Sequence, residues 1–277
     1  MLFRHSMCNE AFGARPFAEA CAGIRRAGYT GIEIAPFTLA EDPASLTGAA
    51  RREYAAIMLS EGLQFAGLHW LLAVPADLHV TAPDAALRAR SWNYVRELID
   101  LCAELGSGGV MVFGSPRQRS ATGGLTPQEA TRYLVQGLAS VGNHAAGRGV
   151  TILLEALPSN QGDVVRTLGE AVAIVREIGS PAVRTMFDVH NTLDETEPHA
   201  ALLDRYFDDI RHVHVNELDG RHCGTGTYDF TPLFEVLRRR SYAGWISLEV
   251  FDFAPGAERS AEESLRHLER LIAELPS

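Results

Sequence analysis

The chain is 277 residues long, 46% hydrophobic and 22% charged, proportions ordinary for a globular protein. Its formal charge of −10 argues against a nucleic-acid backbone or an anionic membrane as partner, since either demands a Lys/Arg-rich face. Cys8, Cys21, Cys102 and Cys223 are scattered and form no C-x-x-C pair, which excludes a disulfide framework and a thiolate zinc site. The opening "MLFRHSMCNE" is no signal peptide, and no apolar run approaches the roughly 20 residues of a membrane span, so a cytoplasmic protein is expected.

Short runs rich in β-branched and aromatic residues alternate with amphipathic stretches from end to end. "LFRHSM" is followed by the helical pattern of "FAEACAGIRRAGY", which reaches a capping glycine at Gly28. "GIEIAPF" and "FAGLHWLL" are the next strand candidates, and then comes the amphipathic "AALRARSWNYVRELIDLCAELG", closing on Gly106. "GVMVFG" precedes "EATRYLVQGLASVGNHAAGRG", closing on Gly149. "VTILLEAL", "VRTMFDVH", "IRHVHVN" and "WISLEVF" complete the strands, and "SAEESLRHLERLIAEL" is the last helix. Eight strands, each followed by a helical stretch, predict an α/β protein with a parallel sheet. In this length they predict a single-domain (β/α)8 TIM barrel over residues 1–277. The alternative, a doubly wound open sheet, lacks a G-x-G-x-x-G at the first strand–helix turn.

Barrel strands alternate between lumen and helices, and active sites of this fold lie at the C-terminal rim. Polar residues late in a strand with lumen parity are therefore the candidates. Ile152, Leu154 and Ala156 form a helix-facing row that turns Glu155 inward; Phe187 and Val189 do the same for Asp188 and His190. Val213 and Val215 turn His212, His214 and Asn216 inward, and Ile246, Leu248 and Val250 turn Ser247 and Glu249 inward. Strands five to eight thus deliver Glu155, Asp188, His214 and Glu249 to one mouth. Three carboxylates cannot converge in a partly dry pocket without a cation, and no Lys or Arg shares their parity apart from the deeper Arg184. One divalent ion is the expected cofactor. Three oxygen donors and an imidazole suit Mn²⁺, Co²⁺ or Mg²⁺, with Zn²⁺ also accommodated.

Other residues admit two readings. His69 and His190 sit at rim positions suited either to substrate contact or to structural hydrogen bonds, and His212 reads as a hydrogen-bonded lumen histidine. His222 and Cys223 are either site-facing or exposed loop residues. Gly224 and Gly226 either cradle an anion on backbone amides or form a tight turn. Arg117 and Arg119 either grip an anion or are solvated, and "LRRRSY" reads as solvated surface. Trp70, Phe113 and Phe251 read as packing.

The ordered set "ILLEAL", "TMFDVHN", "HVHVNE…GTGTYDF" and "ISLEVFDF" resembles the xylose isomerase-like TIM-barrel superfamily, in particular its D-tagatose 3-epimerase-type sugar epimerases and sugar (phosphate) isomerases. The resemblance implies that Glu155, Asp188, His214 and Glu249 bind one divalent ion, usually Mn²⁺, and that Glu155 and Glu249 form an acid/base pair on opposite faces of the substrate. A Glu after the H-x-H motif is matched by Glu217. The family's substrate-binding His falls on Asn191, with His190 one position early, and its substrate-contacting Arg falls on Gly220, next to Arg221. His69, His190, Glu217 and Arg221 are the expected substrate-binding set. The activity implied is isomerisation or epimerisation of a ketose or related keto-sugar, with or without a phosphate, by proton transfer α to a carbonyl through an enediolate. The partner expected is a small sugar, and a homodimer or homotetramer is implied. A lyase or dehydratase acting on a keto-polyol or 3-keto-glycoside would use the same residues. A metal-dependent nuclease or a non-catalytic sugar-binding barrel are more distant alternatives; the missing histidine after "MVFG" and the acidic charge speak against the nuclease.

Overall fold

The computed structural model describes residues 2–275. Eight parallel strands close in sequential order into a barrel: β1 (Arg4–Cys8), β2 (Gly31–Ile34), β3 (Gln64–Leu68), β4 (Val110–Phe113), β5 (Thr151–Leu154), β6 (Val183–Asp188), β7 (Ile210–Val215) and β8 (Trp245–Leu248). The crossovers carry α1 (Phe17–Arg26), α2 (Gly48–Ser60), α3 (Ala85–Leu105), α4 (Pro127–Arg148), α5 (Leu168–Ile178), α6 (His199–Arg205) and α7 (Thr231–Arg239), and α8 (Ala257–Glu274) follows β8. This is the single-domain TIM barrel expected. No helix among the described residues is long and apolar enough to cross a membrane.

Local chemistry sets several boundaries. Thr126 and Glu129 form a reciprocal capping box that starts α4 two residues before the periodic pattern does, with Pro127 in its first turn. Gly149 ends α4 in the left-handed region, φ 68°, and Gly28 at φ 103° follows the end of α1. Gly106 caps α3 with extended backbone, φ 178°; its requirement is space, because a Cβ there would lie 2.8 Å from the Cβ of Phe65. The four cysteines are buried and unpaired.

The core is split by the sheet. Outward-facing Ile32, Ile34, Ile152, Leu154, Phe187, Val213, Ile246 and Leu248 join the helices in one large apolar layer. Inside, Val110, Val112, Leu153 and Met186 plug the β4–β6 side of the lumen. The opposite side, lined from β1, β2, β7 and β8, is polar: Ser6, Cys8, Glu33, His212, His214 and Ser247 are all fully buried there. A barrel lumen is ordinarily filled by branched apolar residues. Half of this one is given over to ionisable groups.

Candidate active site and metal centre

Leu153 and Met186 point into the lumen, so period-two alternation carries Glu155, one residue past β5, and Asp188, the last residue of β6, into the mouth above them. On β7 and β8 the outward Val213, Val215, Ile246 and Leu248 turn His214 and Glu249 the same way. Backbone register sets Asp188 opposite His214, and His214 opposite Ser247. One ligand atom from each of Glu155, Asp188, His214 and Glu249 falls within 4.8 Å of every other, and none of the four residues is more than 6% exposed. Gly114, at the end of β4, leaves room for this arrangement: a Cβ there would collide with Glu155 Oε2.

The charges of this cluster do not balance by themselves. Burial, followed by the charge of Glu249, pushes the Glu155 carboxyl up to about 7. Burial and the neighbouring Glu155 raise Asp188 well above the usual carboxylate range. Burial would raise Glu249 too, but His214 and His69 outweigh it and hold that carboxyl low. Two acids that resist ionisation beside a third that is ionised mark a place where positive charge is wanted. The oxygen-rich donor set with one imidazole fits a divalent cation of the hard to borderline kind.

A ring of hydrogen bonds fixes the four side chains. Asn191 Nδ2 donates to Asp188 Oδ2 (2.8 Å) and to Glu155 Oε1 (3.1 Å), and Gln161 Nε2 donates to Asn191 Oδ1 (2.7 Å). The His190 amide donates to Asp188 Oδ1 (2.9 Å). Glu249 Oε1 accepts from Trp70 Nε1 (3.0 Å) and lies 3.2 Å from His69 Nδ1, while Glu249 Oε2 lies 3.0 Å from His214 Nδ1. His69 Nε2 in turn lies 2.9 Å from Glu10 Oε2, and burial, which pulls the imidazole down, is outweighed by Glu10, so His69 stays protonated well above its usual range. The cavity over the cluster is walled by His69, Trp70, Ser115, Gln161, Asn191 and Phe251. Trp70 and Ser115 hold left-handed backbone, φ 51° and 54°, costing on the order of 1–3 kcal/mol each and placing strain at this wall.

The remaining candidates separate. His69 lines the cavity. His190 does not: its Nδ1 lies 2.9 Å from the Leu218 carbonyl, and its ring packs on Phe251 with centroids 4.7 Å apart. Glu217 is 2% exposed and accepts from the amides of Gly224 (2.8 Å) and Tyr228 (3.2 Å), so the anion cradled by the glycine-rich loop is the chain's own carboxylate. A Cβ at Gly226 would strike that carboxylate. Arg221 is half-buried, pairs with Asp219 at 2.8 Å and does not reach the cavity wall. His222 and Cys223 are buried rather than loop-exposed: His222 Nε2 lies 2.9 Å from Glu263 on α8, and the Cys223 amide donates to Ser264 Oγ. Arg119 is neither solvated nor open to a ligand. It is 1% exposed, donates to the Phe113 carbonyl at 2.9 Å, and burial pushes it down to about 10. Phe113 packs as expected, stacked on Trp92, whereas Trp70 and Phe251 are 40% and 39% exposed and form cavity walls, because the loops after β3 and β8 leave them uncovered. Sequence reasoning missed Glu10, Glu33, Gln161 and the tie made by Asn191. The alternation that selected Glu249 also turns Glu33 inward between Ile32 and Ile34; Glu10 lies in the short 3-10 helix Asn9–Phe12 and Gln161 in a turn after β5, neither of which carries such a signal.

Comparison with known proteins gives a consistent result. The profile of the xylose isomerase-like TIM barrel matches residues 21–271. An L-ribulose 3-epimerase of Methylomonas sp. is 28% identical over 244 residues, covering 87% of this chain and 79% of the relative. An L-ribulose 3-epimerase of Mesorhizobium japonicum is 27% identical over 254 residues, covering 89% and 80%. Among solved structures, a D-psicose 3-epimerase with D-fructose superposes with a TM-score of 0.84 over 98% of this chain and 99% of its own, at 17% identity, a likeness of fold.

Proposed function

The chain belongs to the xylose isomerase-like TIM-barrel family, and from that premise we propose that it is a divalent-metal-dependent epimerase of a ketose or related keto-sugar. The observation that carries this reading is the placement of Glu155 and Glu249 in one cavity wall system, joined through Asp188 and His214 into a four-donor cluster. A divalent ion held by Glu155, Asp188, His214 and Glu249, with Mn²⁺ the first choice and Co²⁺, Mg²⁺ or Zn²⁺ as substitutes, supplies Lewis acidity toward a vicinal carbonyl and hydroxyl. Glu155 and Glu249 do the proton work. One takes the proton from the carbon α to the carbonyl and the other returns it to the opposite face, acid–base assistance of a kind that contributes about 10²- to 10⁴-fold. His69 and Trp70 hold Glu249 Oε1, and Asn191 holds Glu155 Oε1, so each carboxylate keeps a fixed aim. Trp70 and Phe251 offer aromatic walls to the carbon chain of the sugar.

Two features narrow the substrate. All 25 basic Lys/Arg positions are arginine, so no lysine is present for Schiff-base chemistry. No arginine lines the cavity among the described residues, and Arg119 behind it is bonded to a carbonyl, which favours an unphosphorylated sugar. The test is incubation of Mn²⁺-loaded protein with ketopentoses and ketohexoses in D₂O, read by NMR and mass spectrometry. An epimer carrying deuterium at the inverted carbon is expected. Loss of water from the product would assign the lyase instead, and no exchange from any ketose would overturn the reading.

A further inference from the structure

One fully buried carboxylate lies outside the four-donor cluster yet touches it. Glu33, on β2, is 0% exposed, and the outward packing of Ile32 and Ile34 fixes its direction into the lumen. It reaches across to β7, where Glu33 Oε2 lies 2.7 Å from His212 Nε2 and Glu33 Oε1 lies 3.1 Å from His214 Nε2. The other nitrogen of His214, Nδ1, faces Glu249 Oε2 at 3.0 Å. His214 is therefore held between two carboxylates, one on the cluster side and one on the lumen side. His212 Nδ1 is buried without a partner, so Nε2 is its proton-bearing nitrogen and Glu33 is the acceptor. His214 differs in having a carboxylate against each nitrogen, so without an ion both carry N–H, and only its Nδ1 side opens on the four-donor cluster.

We propose that Glu33 is a positioning residue for the metal ligand His214: it holds the Nε2 proton, so that Nδ1 presents its lone pair to the Glu155–Asp188–Glu249 side. His212, bonded to the other oxygen, keeps the Glu33 carboxylate from rotating away. A bare imidazole can ligate through either nitrogen, and an outer carboxylate selects one and orients the ring. The inference rests on the metal-centre reading given above.

The test is Mn²⁺ affinity by calorimetry on metal-stripped wild type, Glu33→Gln and Glu33→Asp, with thermal melts of the metal-free proteins alongside. Glu33→Gln keeps volume but removes the negative charge and puts an NH₂ donor where one of the two acceptor oxygens stood, against an imidazole N–H. Its Mn²⁺ affinity is expected to fall by about 10- to 100-fold, with partial recovery in Glu33→Asp, which restores the charge. A Glu33→Gln protein that melts cooperatively and binds Mn²⁺ within about twofold of wild type overturns the proposal. So does an aspartate variant no better than the glutamine one. Histidine ¹⁵N spectra of Zn²⁺-loaded wild type need no variant to fold: protonated Nε2 on His214 supports the assignment, and protonated Nδ1 refutes it. A wild type that binds none of these ions would bring down the metal-centre reading itself, and this inference with it.

Discussion

Replacing Glu155 with Gln should make the metal-free protein more stable, and only at neutral and alkaline pH. The carboxyl titrates near 4.5 in an unfolded chain but at about 7 in the folded one, because it is buried and faces Glu249. Between those values the folded state keeps a proton that the unfolded state has lost, so wild-type stability falls as pH rises through that window. At about 1.4 kcal/mol per pH unit, the loss is on the order of 3 kcal/mol once both states are ionised. Glutamine cannot ionise, and its carbonyl still accepts from Asn191 Nδ2, which stands 3.1 Å from Glu155 Oε1. In EDTA at pH 8 the variant should therefore melt several degrees higher, at about 2–4 °C per kcal/mol for a domain of this size class. At pH 4.5 the two proteins should melt together. Adding saturating Mn²⁺ should reverse the order at pH 8, because ligand binding stabilises wild type through a site the variant has weakened. A Glu155→Gln protein no more stable than wild type in EDTA at pH 8, or a gain that persists unchanged at pH 4.5, would refute the electrostatic account.

Gly114→Ala should abolish high-affinity Mn²⁺ binding while leaving the barrel folded, since the new methyl occupies the space of Glu155 Oε2; calorimetry and a far-UV melt check both halves. Trp70→Phe keeps an aromatic wall but removes the donor 3.0 Å from Glu249 Oε1, and a bond to a charged acceptor is worth about 1.5–3 kcal/mol, so kcat should drop by about 10- to 100-fold with KM little altered. Arg221→Ala should leave stability within about 0.5 kcal/mol of wild type and the ketose kcat/KM unchanged, because its guanidinium pairs with the exposed Asp219 and stands off the cavity wall.

The barrel and its four inward donors were legible because strands obey period two. Ile152, Leu154, Val213, Val215, Ile246 and Leu248 form outward rows, and each fixes the direction of the residue beside it. Glu33 obeyed the same rule and went unread, since a carboxylate on an early strand has no meaning until β7 is known to place His212 and His214 against it. Loop residues follow no such rule. Whether Arg119 is solvated or buried depends on carbonyls of β4 and of the loop after β5, and whether Gly224 binds a ligand or Glu217 depends on how the loop closes. Asn191 shows the limit from the other side. Its amide fits the space between Glu155 and Asp188 and donates to both, which a residue type inferred from kinship alone would not reveal.

The split lumen explains how such a site is tolerated. Val110, Val112, Leu153 and Met186 bury apolar surface on the side of the barrel where the chain can spare it, while Glu33, His212, His214 and Glu249 meet on the other as alternating acid and base, each desolvated group facing an opposite charge or a hydrogen bond. Glu155 and Asp188 stand at the seam between the two halves. Asn191 donates to both, and His214 and the buried Arg119 offset part of the charge of Glu155, but burial and the facing Glu249 outweigh them. Glu249 is over-supplied with donors and Glu155 under-supplied, so the two carboxylates that share the proton work are not equivalent before any ion is present. The uncompensated charge sits on the β5–β6 side, and it is there that a bound cation contributes most to stability. Ligand removal should accordingly loosen β5, β6 and their following loops first, which hydrogen exchange on metal-loaded and EDTA-treated protein will register as lost protection around Glu155 and Asp188 ahead of His214.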